Sequence, residues 1–241
     1  MNRIRYAATA ALLGATLVAP PHDATAAVPV STTVDIVGQP STADRVAIVV
    51  PGVGTNPGNL AATTGAMARS LYDAAGGEIA VVSWLGYHPP QGLGLDAART
   101  ASAEAGAPAL SRYVDALVAG RPDVRVTLIG HSYGALVIGY AARSLPPQVT
   151  DLVTLGAPGM GVDRAADLHT SARVWAAESP HDWIRFVPGV RLFHLGLGTH
   201  PADPDFGARP LPVEGVDAHP DYLRPGSATL PAVAGIVAVA S

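Results

Sequence analysis

The hydrophobic positions of this chain fall into short apolar runs that alternate with longer segments of helical spacing. The run Arg45–Val50 is almost wholly apolar and stops at Pro-Gly, as expected of a strand buried on both faces of a sheet. Further strands are predicted at residues 78–85, 124–130 and 149–156, and helices at residues 59–75, 95–119 and 135–145. This alternation predicts an α/β fold with a mostly parallel central sheet and helices on both faces.

The pattern also predicts a break in one helix and a less regular region toward the C-terminus. Gly106 and Pro108 predict a break in the second helical segment. After residue 156 the pattern loosens, and late strands are predicted at residues 173–179 and 209–215, separated by a long Pro/Gly-rich passage. Because no repeat or interdomain linker appears, we expect one compact domain over residues 27–241, acting as a monomer.

The N-terminus has the features of an export signal. Arg3 and Arg5 precede an apolar run at residues 7–19, and "ATA" at residues 24–26 offers an A-x-A cleavage site. The run is shorter than the roughly 20 apolar residues of a transmembrane helix. We therefore predict a signal peptide over residues 1–26, a secreted or cell-envelope protein, and no stable membrane anchor. An uncleaved anchor or a buried first helix is the alternative.

Composition narrows the possible chemistry. Only 14% of the 241 residues are charged and the net charge is -4, so nothing favours a nucleic-acid partner. The chain has no cysteine, and all 15 basic residues are arginine. Thiol nucleophiles and lysine chemistry are therefore excluded, and an activated serine would need histidine as its base. No metal-binding or phosphate-binding motif is present, so we expect no cofactor.

One serine stands where a nucleophile would be expected. In "VTLIGHSYGALVIGYAA", Ser132 lies between Gly130 and Gly134, after a predicted strand and before a predicted helix. So tight a turn strains the backbone of its middle residue, and the flanking glycines relieve the crowding, as in a nucleophile elbow. The amide of Tyr133 would then lie at a helix N-terminus, which favours negative charge. The alternative is a glycine-rich turn in which Ser132 only caps the helix.

An acid and a histidine are available after the serine, in the order Ser, Asp, His that accompanies such a turn. Asp182 follows the late strand at residues 173–179, and His219 follows the one at residues 209–215. The rival base is His200, which Asp203 or Asp205 could orient.

The remaining parts of a site are predicted in loops. Val53, in "VVPGVGTN", is the predicted second oxyanion donor beside Tyr133, with Gly54 in reserve. The apolar and aromatic side chains of the loops at residues 83–96 and 155–163 predict an acyl pocket for a short-to-medium chain. The predicted pocket residues are Trp84, Tyr87 and Met160, with Leu85 and Leu93. Alternatively, Trp84 and Leu85 simply finish a buried strand.

These segments resemble a family of actinobacterial α/β-hydrolases whose physiological function is largely undefined. The matching pieces span residues 46–230 and include "VVPGVGTNPGNL", "LIGHSYGALVIGYAA", "LGAPGMGVD", "HDWI", "HPADPDFGARPL" and "AHPDYLRPGSATL". The resemblance implies Ser132 as nucleophile, Asp182 as acid and His219 as base. Many family members have a helical region ahead of the hydrolase domain, which this chain lacks. A more remote resemblance is to secreted cutinases and small lipases, which share the size, export and elbow. Cutinases usually contain disulfides, whereas this chain has no cysteine, so this resemblance ranks second.

Together these features predict an exported serine hydrolase that cleaves a carboxylic ester or related acyl bond of a small molecule. A peptidase or amidase would use the same triad on a poorer leaving group. A binding module that kept the fold without turnover is the alternative from another class.

Overall fold

A single seven-stranded sheet forms the centre of the molecule. The computed structural model describes residues 31–94, 96–189 and 196–238, so the predicted signal peptide at residues 1–26 lies outside the described residues. The strands are β1 (Thr33–Val37), β2 (Arg45–Val50), β3 (Ala80–Leu85), β4 (Arg125–His131), β5 (Val149–Leu155), β6 (Arg173–Ala177) and β7 (Arg209–Pro210). They lie in the order β1-β3-β2-β4-β5-β6-β7, and every pairing except the antiparallel β1–β3 pair is parallel.

Helices cover both faces of this sheet. The described α-helices are α1 (Thr64–Ala74), α2 (Ala101–Val118), α3 (Gly134–Ala141) and α4 (Thr229–Ala238). Along β2, Val46, Ile48 and Val50 pack into the core under α2 and α3, whereas Ala47 and Val49 pack into the core under α1 and α4. Both faces of the strand are buried, which explains its continuous apolar run. The predicted α/β class, with helices on both faces, is confirmed.

Helix α2 corrects one prediction, because it is continuous and contains Pro108. Pro108 is exposed, so water can reach the carbonyl that the proline leaves without an amide donor. The buried face of the same helix packs on the sheet, and Gly106 there lets the Tyr87 side chain approach closely. Tertiary packing therefore overrides the two local breakers.

The last strand is also shorter than predicted. The prediction covered residues 209–215, but β7 contains only Arg209 and Pro210. Pro210 and Pro212 have no amide hydrogen to donate to a neighbouring strand, which limits a strand at this sheet edge.

The parallel strands end together at one edge of the sheet. Val50 of β2 pairs with Gly130 of β4, His131 of β4 with Leu155 of β5, and Leu155 with Ala177 of β6. The loops that follow these four strands therefore meet at the edge where open α/β sheets bind ligands. None of the helices in the described ranges is both long and apolar enough to span a membrane.

Candidate active site

Ser132 lies on the sharp turn between β4 and α3. Its φ is +55°, in the left-handed region that a non-glycine residue rarely adopts, and its amide donates a 2.9 Å hydrogen bond to the Leu155 carbonyl. A Cβ on Gly130 would come within 2.5 Å of the Ala135 backbone, and one on Gly134 would overlap the Val50 carbonyl oxygen. The flanking glycines are thus required by close backbone approach, and the strained turn presents the serine at the sheet edge.

Asp182 is a buried carboxylate at the end of the loop that follows β6. Its Oδ2 accepts hydrogen bonds from the Tyr222 hydroxyl at 2.7 Å and from His219 Nδ1 at 2.8 Å, and its Oδ1 accepts one from the Ile184 amide at 2.9 Å. Burial alone would raise the pKa of Asp182, but the hydrogen bonds from His219, Tyr222 and Ile184 outweigh burial and hold the pKa below its usual value. The group is therefore an ionised carboxylate at neutral pH.

His219 is held by its backbone as well as by its ring. The Nε2–H of His131 donates a 2.9 Å hydrogen bond to the His219 carbonyl, and the two rings lie 4.7 Å apart. Burial, reinforced by the nearby His219, lowers the pKa of His131 to about 4, so His131 is neutral. The bond from Nδ1 to Asp182 leaves His219 Nε2 as the ring atom able to accept a proton.

Two cavities meet at the serine. The larger one, of about 650 Å³, contains both Ser132 and His219. The smaller one, of about 330 Å³, contains Ser132 and Tyr133. Val53, Leu93 and Trp183 line both. The structure therefore brings Ser132, Asp182 and His219 into one site, although 87 positions separate the first from the last in the sequence.

Two backbone amides near the serine are the predicted anion donors, and both residues line a cavity at Ser132. Within the described residues, neither the Val53 amide nor the Tyr133 amide donates a hydrogen bond. The reserve candidate is different, because the Gly54 amide donates to the Pro90 carbonyl at 2.8 Å. Val53 and Tyr133 remain the predicted pair.

Comparisons with known proteins identify the family of this chain. A family model described as alpha/beta hydrolase matches residues 23–192 of the chain. This chain belongs to the alpha/beta hydrolase family. An uncharacterized protein of Mycobacterium tuberculosis strain H37Rv is 31% identical over 187 residues, which cover 71% of this chain and 64% of that protein. The actinobacterial resemblance is thereby confirmed.

Solved structures give the same fold at low sequence identity. The esterase PE8 aligns over 86% of this chain and 98% of its own, with a TM-score of 0.57 and 17% identity. The esterase Est1E from Butyrivibrio proteoclasticus, solved with ferulic acid, aligns over 86% and 92%, with a TM-score of 0.52 and 13% identity. At such identities the likeness concerns the alpha/beta hydrolase fold alone.

In this alpha/beta hydrolase, the rival base His200 lies away from the serine. Its Nδ1 is 2.6 Å from a Glu178 carboxylate oxygen, and its Nε2 is 2.8 Å from the Val187 carbonyl oxygen. The hydrogen bond to Glu178, partly offset by burial, raises the pKa of His200. His200 lines neither cavity at Ser132, and Asp203 instead accepts a hydrogen bond from the Asp205 amide.

The predicted pocket residues need correction. Trp84, Tyr87 and Met160 are all buried in the core, and none lines either cavity at Ser132. Trp84 and Leu85 finish the buried strand β3. The Tyr87 hydroxyl donates a 2.6 Å hydrogen bond to the Pro51 carbonyl, so Tyr87 supports the loop ahead of Val53. The Met160 backbone approaches α3 closely at Gly139, where a Cβ would overlap the Met160 carbonyl oxygen.

Some site residues were absent from the sequence-based prediction. Leu93, which was in it, does line both cavities, but Trp183 and Tyr222 were not named. The Trp183 ring lies 5.0 Å from the His219 ring. Both residues stand within three positions of a predicted acid or base, which is the signal that could have identified them. No group of three His, Asp or Glu side chains in the described ranges is arranged to hold a metal ion.

Proposed function

We propose that this protein is a serine hydrolase that cleaves a carboxylic ester, or a related acyl bond, through an acyl-enzyme intermediate. The observation that carries the proposal is that His219, whose Nδ1 donates a 2.8 Å hydrogen bond to the buried Asp182, lines the same cavity as Ser132 on its left-handed turn. Membership of the alpha/beta hydrolase family supports the same reaction class. The chain spans 64% of the length of the H37Rv relative, so the activity is a proposal for this chain.

The proposed first half-reaction acylates the serine. Ser132 Oγ attacks the ester carbonyl carbon while its proton passes to His219 Nε2. Asp182, already ionised and hydrogen-bonded to Nδ1, stabilises the imidazolium that forms. The carbonyl oxygen becomes an oxyanion, to which the Val53 and Tyr133 amides donate. The C–O bond to the alcohol then breaks, and the proton on His219 Nε2 moves to the departing oxygen.

The second half-reaction releases the acid. A water molecule gives a proton to His219 Nε2 and attacks the acyl carbon, so that the same oxyanion forms again. Its collapse breaks the bond to Ser132 Oγ, which recovers the proton from His219. The free carboxylic acid leaves, and the enzyme returns to its starting protonation state.

Labelling by a fluorophosphonate probe tests the proposal, because the probe requires an activated serine. We expect the wild-type protein to be labelled, and Ser132→Ala to lose labelling and roughly 10³-fold or more of any esterase activity. His219→Ala should be about as damaging, since triad members act as a unit. Ser144→Ala is the matched control, because Ser144 is an exposed serine outside both cavities.

Each alternative has its own result. Undiminished labelling of Ser132→Ala would refute the assignment of the nucleophile. A wild-type protein that neither reacts with the probe nor hydrolyses esters would be a binding module with this fold. Faster turnover of amides than of matched esters would identify a peptidase or amidase.

We also propose export, which rests on Arg3, Arg5 and the apolar run that follows them. The N-terminus of protein recovered from the medium or envelope of an expressing actinobacterial host should lie near Ala27. Recovery of the intact chain from the cytosol alone would contradict this proposal.

A further inference from the structure

The two cavities at Ser132 differ in the chemistry of their walls. Besides Ser132 and Tyr133, the described residues that line the smaller cavity are all glycine, alanine, proline or larger apolar residues and one tryptophan. The described walls of the smaller cavity therefore offer almost no hydrogen-bonding side chain to a ligand.

The larger cavity is lined by polar as well as apolar groups. Its polar side chains include Thr55, Ser70, Gln91, Asp221 and Arg224. Within the described part of the chain, the hydroxyls of Thr55 and Ser70 have no hydrogen-bond partner. A ligand that brings its own hydroxyl groups can satisfy such side chains, whereas a purely apolar ligand would leave them unpaired.

The reaction geometry determines which half of an ester enters each cavity. In the proposed mechanism the departing alcohol oxygen must receive the proton from His219, so the alcohol lies on the His219 side. His219 lines the larger cavity and is absent from the walls of the smaller one. The acyl chain, attached to the same carbonyl carbon, is left with the smaller cavity beside Tyr133.

We infer that the substrates are esters of a small apolar carboxylic acid with a bulkier, hydroxyl-bearing alcohol. The inference rests on the proposed function and adds a substrate class to it. The acyl chain gains by burial among apolar side chains until the smaller cavity is full, at roughly fourfold in kcat/KM per methylene. The alcohol has about twice the space and gains through hydrogen bonds to the polar side chains of the larger cavity.

A matched pair of substitutions tests this division. Ala98 lines the smaller cavity and Ala66, exposed on α1, lines the larger one, so Ala98→Phe and Ala66→Phe introduce the same side chain on either side of Ser132. Acyl preference is read from p-nitrophenyl acetate, butanoate and octanoate. Alcohol preference is read from the butanoates of ethanol, cyclohexylmethanol and the 6-hydroxyl of glucose.

We expect Ala98→Phe to lower the octanoate-to-acetate ratio of kcat/KM by about tenfold or more, with little change in the alcohol ratios. Ala66→Phe should lower the ratio of glucose butanoate to ethyl butanoate, with little change in the acyl ratios. The wild-type protein should prefer glucose butanoate to cyclohexylmethyl butanoate, whose leaving groups are of similar size. Thermal melts check that each variant is folded. If either phenylalanine prevents folding, Ala97→Leu in the smaller cavity and Ser70→Leu in the larger one form a second pair.

The outcomes separate the inference from the proposed function. The division between the cavities would be overturned if Ala98→Phe changed the alcohol ratios and Ala66→Phe the acyl ratios. It would also be overturned if each variant changed both sets of ratios equally. Preference for the cyclohexylmethyl ester would overturn the inference that the alcohol half of the substrate bears hydroxyl groups. A wild-type protein that fails to react with a fluorophosphonate would instead remove the proposed function itself.

Discussion

At Asp182, three donors converge on one buried carboxylate, and the Tyr222 hydroxyl is the one side-chain donor among them that takes no part in the proposed proton transfer. Burial, together with the hydrogen bond to Asp182, raises the pKa of Tyr222, so its hydroxyl keeps its proton and donates. The same oxygen accepts a 3.0 Å hydrogen bond from the Ser179 amide, which ties it to the loop after β6. Tyr222 therefore positions Asp182, the proposed acid.

Replacement of this tyrosine should change the pH profile as well as the rate. Tyr222→Phe removes one donor from Asp182, so the carboxylate binds the His219 imidazolium more strongly. The acidic limb of kcat/KM should move to higher pH, and kcat should fall by about tenfold with KM nearly unchanged. Tyr113→Phe is the control, because Tyr113 lies on α2 and its ring packs against Trp84 of β3. An unchanged limb with a lowered melting temperature would mean a purely structural role.

His200 has a structural role that depends on pH. Both ring nitrogens face acceptors, Glu178 and the Val187 carbonyl, so both contacts are hydrogen bonds only when the ring is protonated. Pairing with Glu178 raises the pKa of His200. Its contribution to stability is thus fully present below the ordinary histidine pKa of about 6.5 and is lost as pH rises through the higher folded-state pKa.

The corresponding variant should separate stability from activity. His200→Ala is expected to lower the free energy of unfolding by roughly 1–2 kcal/mol at pH 6 and by less at pH 9, as measured by urea unfolding. Esterase activity should fall far less than in His219→Ala. A larger loss of activity in His200→Ala than in His219→Ala would instead identify His200 as the general base.

Within helix α2, two positions that both weaken an isolated helix should respond oppositely to alanine. Pro108→Ala restores an amide donor on the exposed face, and we expect the free energy of unfolding to rise by about 1–2 kcal/mol. At Gly106, the new Cβ would lie 2.7 Å from the Tyr87 Cβ, and we expect a loss of similar or greater size. Chemical denaturation of the two variants measures both changes, and equal signs would refute this account of the helix.

The difference between local sequence preference and tertiary packing explains which elements could be predicted from the sequence. Strands β2 to β5 are buried on both faces, so their apolar runs are visible without a structure. Strand β1, with the sequence TVDIV, alternates between half-buried and exposed positions at the sheet edge and gives a weak signal. Helix α4 is apolar almost throughout and has little amphipathic pattern, and it was not predicted. The continuity of α2 depends on contacts that local propensity does not contain.

At the scale of the whole molecule, the chain order of Ser132, Asp182 and His219 could be predicted because each follows one of the parallel strands β4, β6 and β7, which run toward the same sheet edge. The pocket walls could not, since whether Trp84 faces a cavity or the core depends on where β3 ends, to within one residue. The actual walls come from α1, from the loops around Leu93 and Trp183, and from residues after His219. Only the folded sheet brings these distant segments together.

The assembly of the site from the ends of β2, β4 and β6 also has a consequence for how the molecule gains its reactivity during folding. No local segment contains both Ser132 and its proposed base His219, and parallel pairing requires the entropy of long loops to be lost before contacts form. Helical circular dichroism should therefore return early when denatured protein is diluted into buffer. Reactivity toward a fluorophosphonate should return only when β6 has paired with β5 and the segment around His219 has packed beside Ser132. The rate at which serine labelling returns therefore measures the final step of folding.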